Sequence, residues 1–198
     1  MKWFAALLVF GGGIILLLVS ACSRNIENQS HTDFFDLEGL IDSQVITLSS
    51  NNYGIQKLTK LGSEEDMFKH YPDSAGWAKE LDIIKTANIN KPGLSPYYNL
   101  LTQDSSVYLI DTYVLNDTGR SSTLYQKIYR SKKSRTVNKI KIKQQTDNPI
   151  YHSDRNIEVL FKQQEEDVII DSIIVNGYQK IIFLDTAFYQ SISRTIQK

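Results

Sequence analysis

The residue types that most often carry out chemistry are scarce in this chain of 198 residues, which contains one cysteine and three histidines. These counts exclude disulfide frameworks and Cys-rich zinc sites. His70 and His152 could share a metal ion with a carboxylate, and His152 with Asp154 could supply part of a Ser–His–Asp arrangement. The sequence has no nucleophile elbow, no phosphate-binding loop and no zinc-protease motif. We therefore expect no enzyme activity, no metal and no cofactor.

The single cysteine, Cys22, follows an N-terminal segment of the kind that directs export. Lys2 precedes an uncharged apolar run from Trp3 to Val19, and small residues separate this run from the cysteine. Residues 19–22, V-S-A-C, resemble the lipobox of bacterial lipoprotein signals. The resemblance implies cleavage between Ala21 and Cys22 and a diacylglyceryl group on the Cys22 thiol. Two alternatives remain open, which are cleavage at an ordinary signal peptidase site and retention of the run as an uncleaved anchor.

The lipobox resemblance also implies a domain organisation and a location. Residues 1–21 are then a signal peptide, residues 22–32 a lipidated cysteine with a polar tether, and residues 33–198 a single domain. Two or three acyl chains hold a protein on a bilayer almost permanently. Because Ser23 rather than aspartate follows the cysteine, the resemblance implies a lipid anchor in the outer membrane. The absence of acidic residues directly after Ser23 favours the leaflet that faces the periplasm.

A second feature is a strongly basic segment in a chain whose net charge is zero. Between residues 124 and 146 there is no acid, and the cations are Lys127, Arg130, Lys132, Lys133, Arg135, Lys139, Lys141 and Lys143. Strand side chains alternate between faces, so Lys139, Lys141 and Lys143 share one face, and Ile140 and Ile142 share the other. The lysine face is either a solvated surface or a patch for an acidic partner or anionic lipid. The zero net charge argues against a nucleic-acid partner.

The elements expected to position these residues begin with two helices. Apolar residues at spacings of three and four predict a helix over residues 33–49, capped by Thr32 or Asp33. A second helix is predicted over residues 75–88, with Asp73 or Ser74 as its cap. Between them we expect a short strand at residues 55–61 and a turn at residues 64–66.

The remainder of the chain predicts strands, because it is rich in Ile, Val, Tyr, Phe and Thr between turn residues. The predicted strands are residues 106–116, 123–130, 136–144, 157–164, 168–175 and 178–189. Asn176-Gly177 is the strongest hairpin signal and predicts a tight turn between the last two strands. We expect an α+β fold with N-terminal helices packed on a C-terminal antiparallel sheet. The sheet would be a meander, for which an open half-barrel is one candidate form.

The helical region carries a further resemblance. Residues 74–81 and 87–92 contain a W-x-K-E-L … A-x-I-N-K-P pattern, and residues 177–184 are similar to a C-terminal hairpin found with it. Together they resemble a group of uncharacterised lipoproteins of Bacteroidetes-type bacteria. The shared positions are packing and turn residues, so the resemblance implies a periplasmic lipoprotein and no particular activity.

Three classes of function remain at this stage. The first is a membrane-anchored, non-catalytic binding or interaction module. The second is a carrier of lipid or another apolar ligand, which would need a connected apolar cavity of at least ~300 Å³ beneath the sheet. The third is an enzyme of unrecognised class, for which the sequence offers no motif. We expect the first.

Overall fold

A nine-stranded antiparallel sheet dominates the computed structural model, which describes residues 34–198. The strands are β1 (Gly54–Leu61), β2 (Glu64–His70), β3 (Tyr98–Asp104), β4 (Tyr108–Leu115), β5 (Thr123–Ser131), β6 (Val137–Asp147), β7 (Tyr151–Gln164), β8 (Asp167–Ile181) and β9 (Ala187–Ile196). Their order is β2-β1-β9-β8-β7-β6-β5-β4-β3. Strands β3 to β9 therefore form a meander, and β1 joins it beside β9.

Two α-helices accompany the sheet, α1 (Leu37–Ser50) and α2 (Ser74–Lys85), together with a 3₁₀ turn at Ser95–Tyr97. The carboxylate of Asp36 accepts a hydrogen bond from the Gly39 N–H at 2.9 Å, and Asp73 does the same for Gly76 at 2.8 Å. These caps satisfy N–H groups that have no partner within a helix. The predicted cap at Asp73 is confirmed. The cap predicted at Thr32 or Asp33 is wrong, because α1 begins at Leu37.

The two faces of the sheet differ in what they carry. Ile140 and Ile142 of β6 are fully buried, whereas Lys139, Lys141 and Lys143 at the alternate positions remain 24–38% exposed. The predicted alternation along β6 is thus confirmed, and burial of unpaired ammonium groups is avoided. We call the face that contains Ile140 the core face and the face that contains Lys141 the open face.

The core face contributes to one buried cluster that also contains side chains of both helices. Ile128, Ile140, Val159 and Ile173 lie side by side across β5 to β8. The helices add Leu37, Ile41, Val45 and Leu48 from α1 and Trp77, Leu81 and Ile84 from α2. Residues Asp33–Lys198 form one compact unit. None of the helices among residues 34–198 has the length and apolar character needed to cross a membrane.

The predicted hairpin at Asn176-Gly177 is wrong. Both residues lie inside the continuous strand β8, where they pair with Asn156 and Arg155 of β7 and with Gln190 and Tyr189 of β9. Strand β7 is 14 residues long and offers a partner along the whole of β8, so extended backbone prevails over the local turn preference. The chain instead reverses after Ile181 and returns as β9.

The order of elements also departs from the expectation of helices first and sheet last. Strands β1 and β2 lie between the two helices, and the turn predicted at residues 64–66 is the start of β2. Strand β3 was not predicted from the sequence. Residues 34–198 are therefore mostly β, with two α-helices and one antiparallel sheet.

Candidate functional site

The residues predicted for lipid attachment, Ala21 and Cys22, lie outside the described residues, as does His31. The other sequence-predicted residues can be placed. Of these, His70 lies on β2 and His152 on β7, four strand spacings apart, or roughly 19 Å. They therefore cannot share a metal ion. Within residues 34–198 no group of three His, Cys, Asp or Glu side chains is arranged to hold a metal ion.

The imidazole of His152 contacts Asp147 rather than Asp154. Its Nδ1 lies 3.0 Å from Asp147 Oδ1, and its Nε2 lies 3.0 Å from the Tyr178 hydroxyl. The ring also stacks on Tyr178, with centroids 5.8 Å apart. Asp154 is instead paired with Lys143, Nζ to Oδ1 2.5 Å. The arrangement of His152 with Asp154 considered from the sequence does not form.

The eight basic residues of the 124–146 segment divide among three places. Lys127, Lys139, Lys141 and Lys143 lie on the open face, whereas Lys132, Lys133 and Arg135 lie in or beside the turn between β5 and β6. Arg130 belongs to the core face, where its guanidinium pairs with the carboxylate of Asp111. These residues therefore do not form one continuous patch.

Acidic side chains of β7 neutralise part of the lysine row. Glu158 lies between Lys139 and Lys141, with Nζ-to-carboxylate distances of 4.0 and 3.2 Å, and Asp154 pairs with Lys143. Lys132 pairs with Asp104 at 2.5 Å. Among the described residues Lys127, Lys133 and Arg135 have no ion pair. The net positive charge of this region is thus smaller than its sequence indicates.

A shallow, open depression of about 470 Å³ lies on the open face, beside the β8–β9 end of the sheet. Its floor is a row of amides, which we call the amide row: Asn156 on β7, Asn176 on β8 and Gln190 on β9. Asn156 pairs with Asn176, and Asn176 with Gln190, so sheet register alone aligns the three side chains. We call this depression the amide groove.

The amides of Asn176 and Gln190 make no hydrogen bond to any described residue, and Asn156 makes only a long contact of 3.4 Å with Asp154. Each amide offers two donors and an acceptor oxygen. Because the residues are paired on adjacent strands, the spacing of their Cα and Cβ atoms is fixed by the register before a ligand arrives. The amide row can therefore bind a neutral ligand that carries several hydroxyl or amide groups.

Aromatic rings border the amide groove. Tyr178 and Phe188 pair across β8 and β9, with ring centroids 5.9 Å apart. Tyr178 is held by its contact with His152, and the Tyr189 hydroxyl accepts a hydrogen bond from Arg155 Nε at 3.1 Å. Flat apolar rings next to amides provide both contacts that a sugar ring or a similar amphipathic group requires. Lys60, paired with Glu65 at 2.7 Å, closes the far side.

Two groups with shifted titration lie away from this groove. Burial raises the pKa of Tyr98 and that of Tyr113 above the usual range. The Tyr98 hydroxyl donates to the Thr123 carbonyl, and the Tyr113 hydroxyl accepts from the Phe35 N–H at 3.0 Å. Both phenols thus connect elements of the core.

The amide row was missed by reasoning from the sequence. Asn156, Asn176 and Gln190 are separated by 20 and 14 positions and form no motif. The one local pattern that includes a member of the amide row, Asn176-Gly177, predicted a turn and not a binding site. Only the pairing of β7, β8 and β9 brings these residues together.

Neither a protein family, nor a curated protein, nor a solved structure matches this chain.

Proposed function

We propose that this protein is a lipid-anchored, non-catalytic binding module whose ligand contacts the amide groove. The observation that carries the proposal is the amide row, in which two amides on adjacent strands are aligned and without partners in the described residues. The bordering rings of Tyr178 and Phe188 favour an amphipathic ring over a purely charged group. The ligand class is therefore a neutral, polyhydroxylated molecule such as an oligosaccharide.

The alternative is a carrier of an apolar ligand inside an open half-barrel. The sheet does end in two unpaired edges, β2 and β3, and both helices share a buried cluster with its core face. The region between the two helices and the sheet is closely packed, however, since Leu37, Ile41, Leu48, Trp77, Leu81 and Ile84 are at most 1% exposed. A cavity of about 410 Å³ lies beside the β5–β6 turn, but most of the residues that line it are polar, including Lys133, Asn138 and Gln163. Neither place suits an acyl chain, so the structure favours the binding module.

The anchor belongs to the same proposal. Cys22, freed by cleavage after Ala21, carries the acyl chains, and Ser23 sends the protein to the periplasmic side of the outer membrane. Cys22→Ala should abolish labelling with radioactive palmitate and leave the signal uncleaved. If that variant is still cleaved and labelled with palmitate, the interpretation of residues 19–22 as a lipobox is wrong.

Ligand binding can be tested by saturation-transfer NMR with a panel of soluble oligosaccharides built from hexose and N-acetylhexosamine units. Loss of two hydrogen-bonding amides in Asn176→Ala/Gln190→Ala should weaken binding about tenfold. The control is Gln103→Ala, an exposed amide on β3 outside the groove. If the unmodified chain binds no member of the panel, the proposed ligand class is wrong.

An acidic partner or anionic lipid at the basic segment remains a second, separate proposal. It is supported by Lys127, Lys133 and Arg135, which have no ion pair among the described residues. These cations lie on the open face and at the β5–β6 turn, away from the amide groove.

A further inference from the structure

Large apolar side chains project into solvent at one end of the sheet. Two neighbouring chain reversals meet there: β6–β7 and β8–β9. We call this end the apolar tip, formed by Ile150, Ile181, Ile182, Phe183 and Leu184. Phe183 is 94% exposed and the others are 45–64% exposed. Five such residues at one place form a patch that soluble surfaces seldom leave in contact with water.

The apolar tip is held in place by a main-chain hydrogen bond. The Ile182 N–H donates to the Ile150 carbonyl at 3.0 Å. This bond joins the two reversals through the main chain. Phe183 has φ +69°, a left-handed conformation that is unfavourable for a bulky residue. The strained backbone holds the Phe183 side chain out in solvent, which makes it a candidate for contact with an apolar environment.

Behind the apolar tip lies a belt of amphipathic side chains. Tyr178 is three residues from Ile181 along β8, about 10 Å away, and lies on the open face. Tyr189 pairs with Gly177, the neighbour of Tyr178, and lies on the core face. Lys60 pairs with Gln190 and lies at nearly the same depth. Apolar residues followed by tyrosine and lysine at this distance match the depth profile of a bilayer interface.

We propose that the apolar tip inserts into the interfacial region of the lipid bilayer to which the chain is anchored, with Tyr178 and Tyr189 at the level of the headgroups. This inference rests on the proposed lipid anchor at Cys22. Cys22 and Phe34 are twelve residue steps apart along the chain, which can span at most ~40 Å. Phe34 stacks on Tyr113, with ring centroids 4.8 Å apart. From Tyr113 the apolar tip is about 28 Å away along the sheet, within the reach of the tether.

The charges around the apolar tip determine which lipid headgroups would favour insertion. Asp147 and Asp185 lie in or beside its reversals, and Lys180 precedes Ile181, so acids outnumber lysines there. The surroundings are thus not cationic, and anionic headgroups would gain little. Insertion should therefore occur in zwitterionic bilayers and should change little with added salt.

Insertion of the apolar tip would also fix the height of the amide groove above the bilayer. Tyr178 and Phe188 line the groove and adjoin the apolar tip, so the groove would open just above the headgroups. The ligand would then be presented at the membrane surface and not far into the periplasm.

The test uses the lipidated protein after cleavage of the signal that contains Trp3, purified from membranes and reconstituted into phosphatidylcholine vesicles whose acyl chains are brominated. Trp77 is 1% exposed and contributes a constant background. The indole introduced by Phe183→Trp should be quenched by the bromine atoms. The matched control is Val107→Trp, at an exposed position in the reversal between β3 and β4 at the opposite end of the strands, which should not be quenched.

Equal quenching at the two positions, or no quenching at either, would overturn the inference. The absence of quenching is also the result expected if a protein partner, and not the bilayer, covers the apolar tip. A second measurement uses vesicle flotation of the unlipidated Cys22→Ser chain after proteolytic removal of the signal. Here Phe183→Ser should lower partitioning about tenfold. Palmitate labelling of Cys22 is read separately, so a failure of the anchor and a failure of the apolar tip are distinguishable.

Discussion

Tyr189 is paired with Gly177 across β9 and β8, and its hydroxyl oxygen lies 2.9 Å from the position that a Cβ atom on residue 177 would occupy. The Asp154 carbonyl oxygen is closer still, at 2.0 Å from that position. A glycine is therefore required here by the close approach of β7 and Tyr189, and not by a turn. This close approach explains why a glycine occupies position 177 inside a strand.

Gly177→Ala should destabilise the protein by at least about 2 kcal/mol, because the added methyl group meets main-chain atoms that cannot move aside. Urea unfolding followed by circular dichroism measures this loss. Gly93→Ala is the matched control, since a Cβ at residue 93 has no neighbour within 4 Å. Equal midpoints for the two variants would show that the strands separate freely at residue 177.

Two buried glutamines should respond in opposite ways to the same substitution. The Gln44 amide donates to the Val168 carbonyl at 2.8 Å and accepts from the Ile170 N–H at 2.7 Å. Gln126 is completely buried, and neither of its amide atoms has a partner among the described residues.

Gln44→Met should therefore cost about 1–3 kcal/mol, because two main-chain groups of β8 lose their partner. Gln126→Met should be neutral or stabilise the protein by roughly 1 kcal/mol, because it removes a desolvated amide without leaving a group unpaired. Thermal or urea unfolding of both variants decides this. Comparable losses in the two would mean that Gln126 is hydrogen bonded in solution.

Stability should fall as the pH rises above about 10. Burial raises the pKa of Tyr98 and of Tyr113, so the native state keeps protons that the unfolded chain releases. Their contribution is complete below the unfolded pKa and is lost as the pH rises through the folded pKa. The pKa of Lys85 is raised by its hydrogen bond with Asp42 and acts in the same direction.

Unfolding free energies measured across the alkaline range should therefore slope downward. The double variant Tyr98→Phe/Tyr113→Phe should have a shallower slope, whatever its absolute stability. An unchanged slope would mean that other groups govern the alkaline transition.

Cations without ion pairs should dominate any association with anionic vesicles. Replacing Lys127, Lys133 and Arg135 by glutamine should reduce co-sedimentation more than replacing Lys139, Lys141 and Lys143. Both sets remove three charges, but the second set is already paired with Glu158 and Asp154. Added salt should weaken the association of the unmodified chain. Equal losses would assign the effect to net charge alone, and no association at low salt would remove anionic lipid as the partner.

The sequence by itself determined features that depend on local periodicity and local hydrogen bonds. The buried stripe of α1, the cap at Asp73 and the opposite faces of Ile140 and Lys141 all follow from spacing within a few residues. Each of these features depends only on the local geometry of one helix or strand, which has 3.6 residues per helical turn or two residues per strand repeat.

Only the tertiary structure decided how the strands are paired, and with this the candidate sites. Whether Asn176-Gly177 turns or extends depends on the length of β7, which lies elsewhere in the chain. The amide row, the pairing of Glu158 with the lysines and the joining of Ile150 to Ile182 are all products of cross-strand register. Register is set by the burial of a whole face across several strands, a long-range energy that no single segment contains.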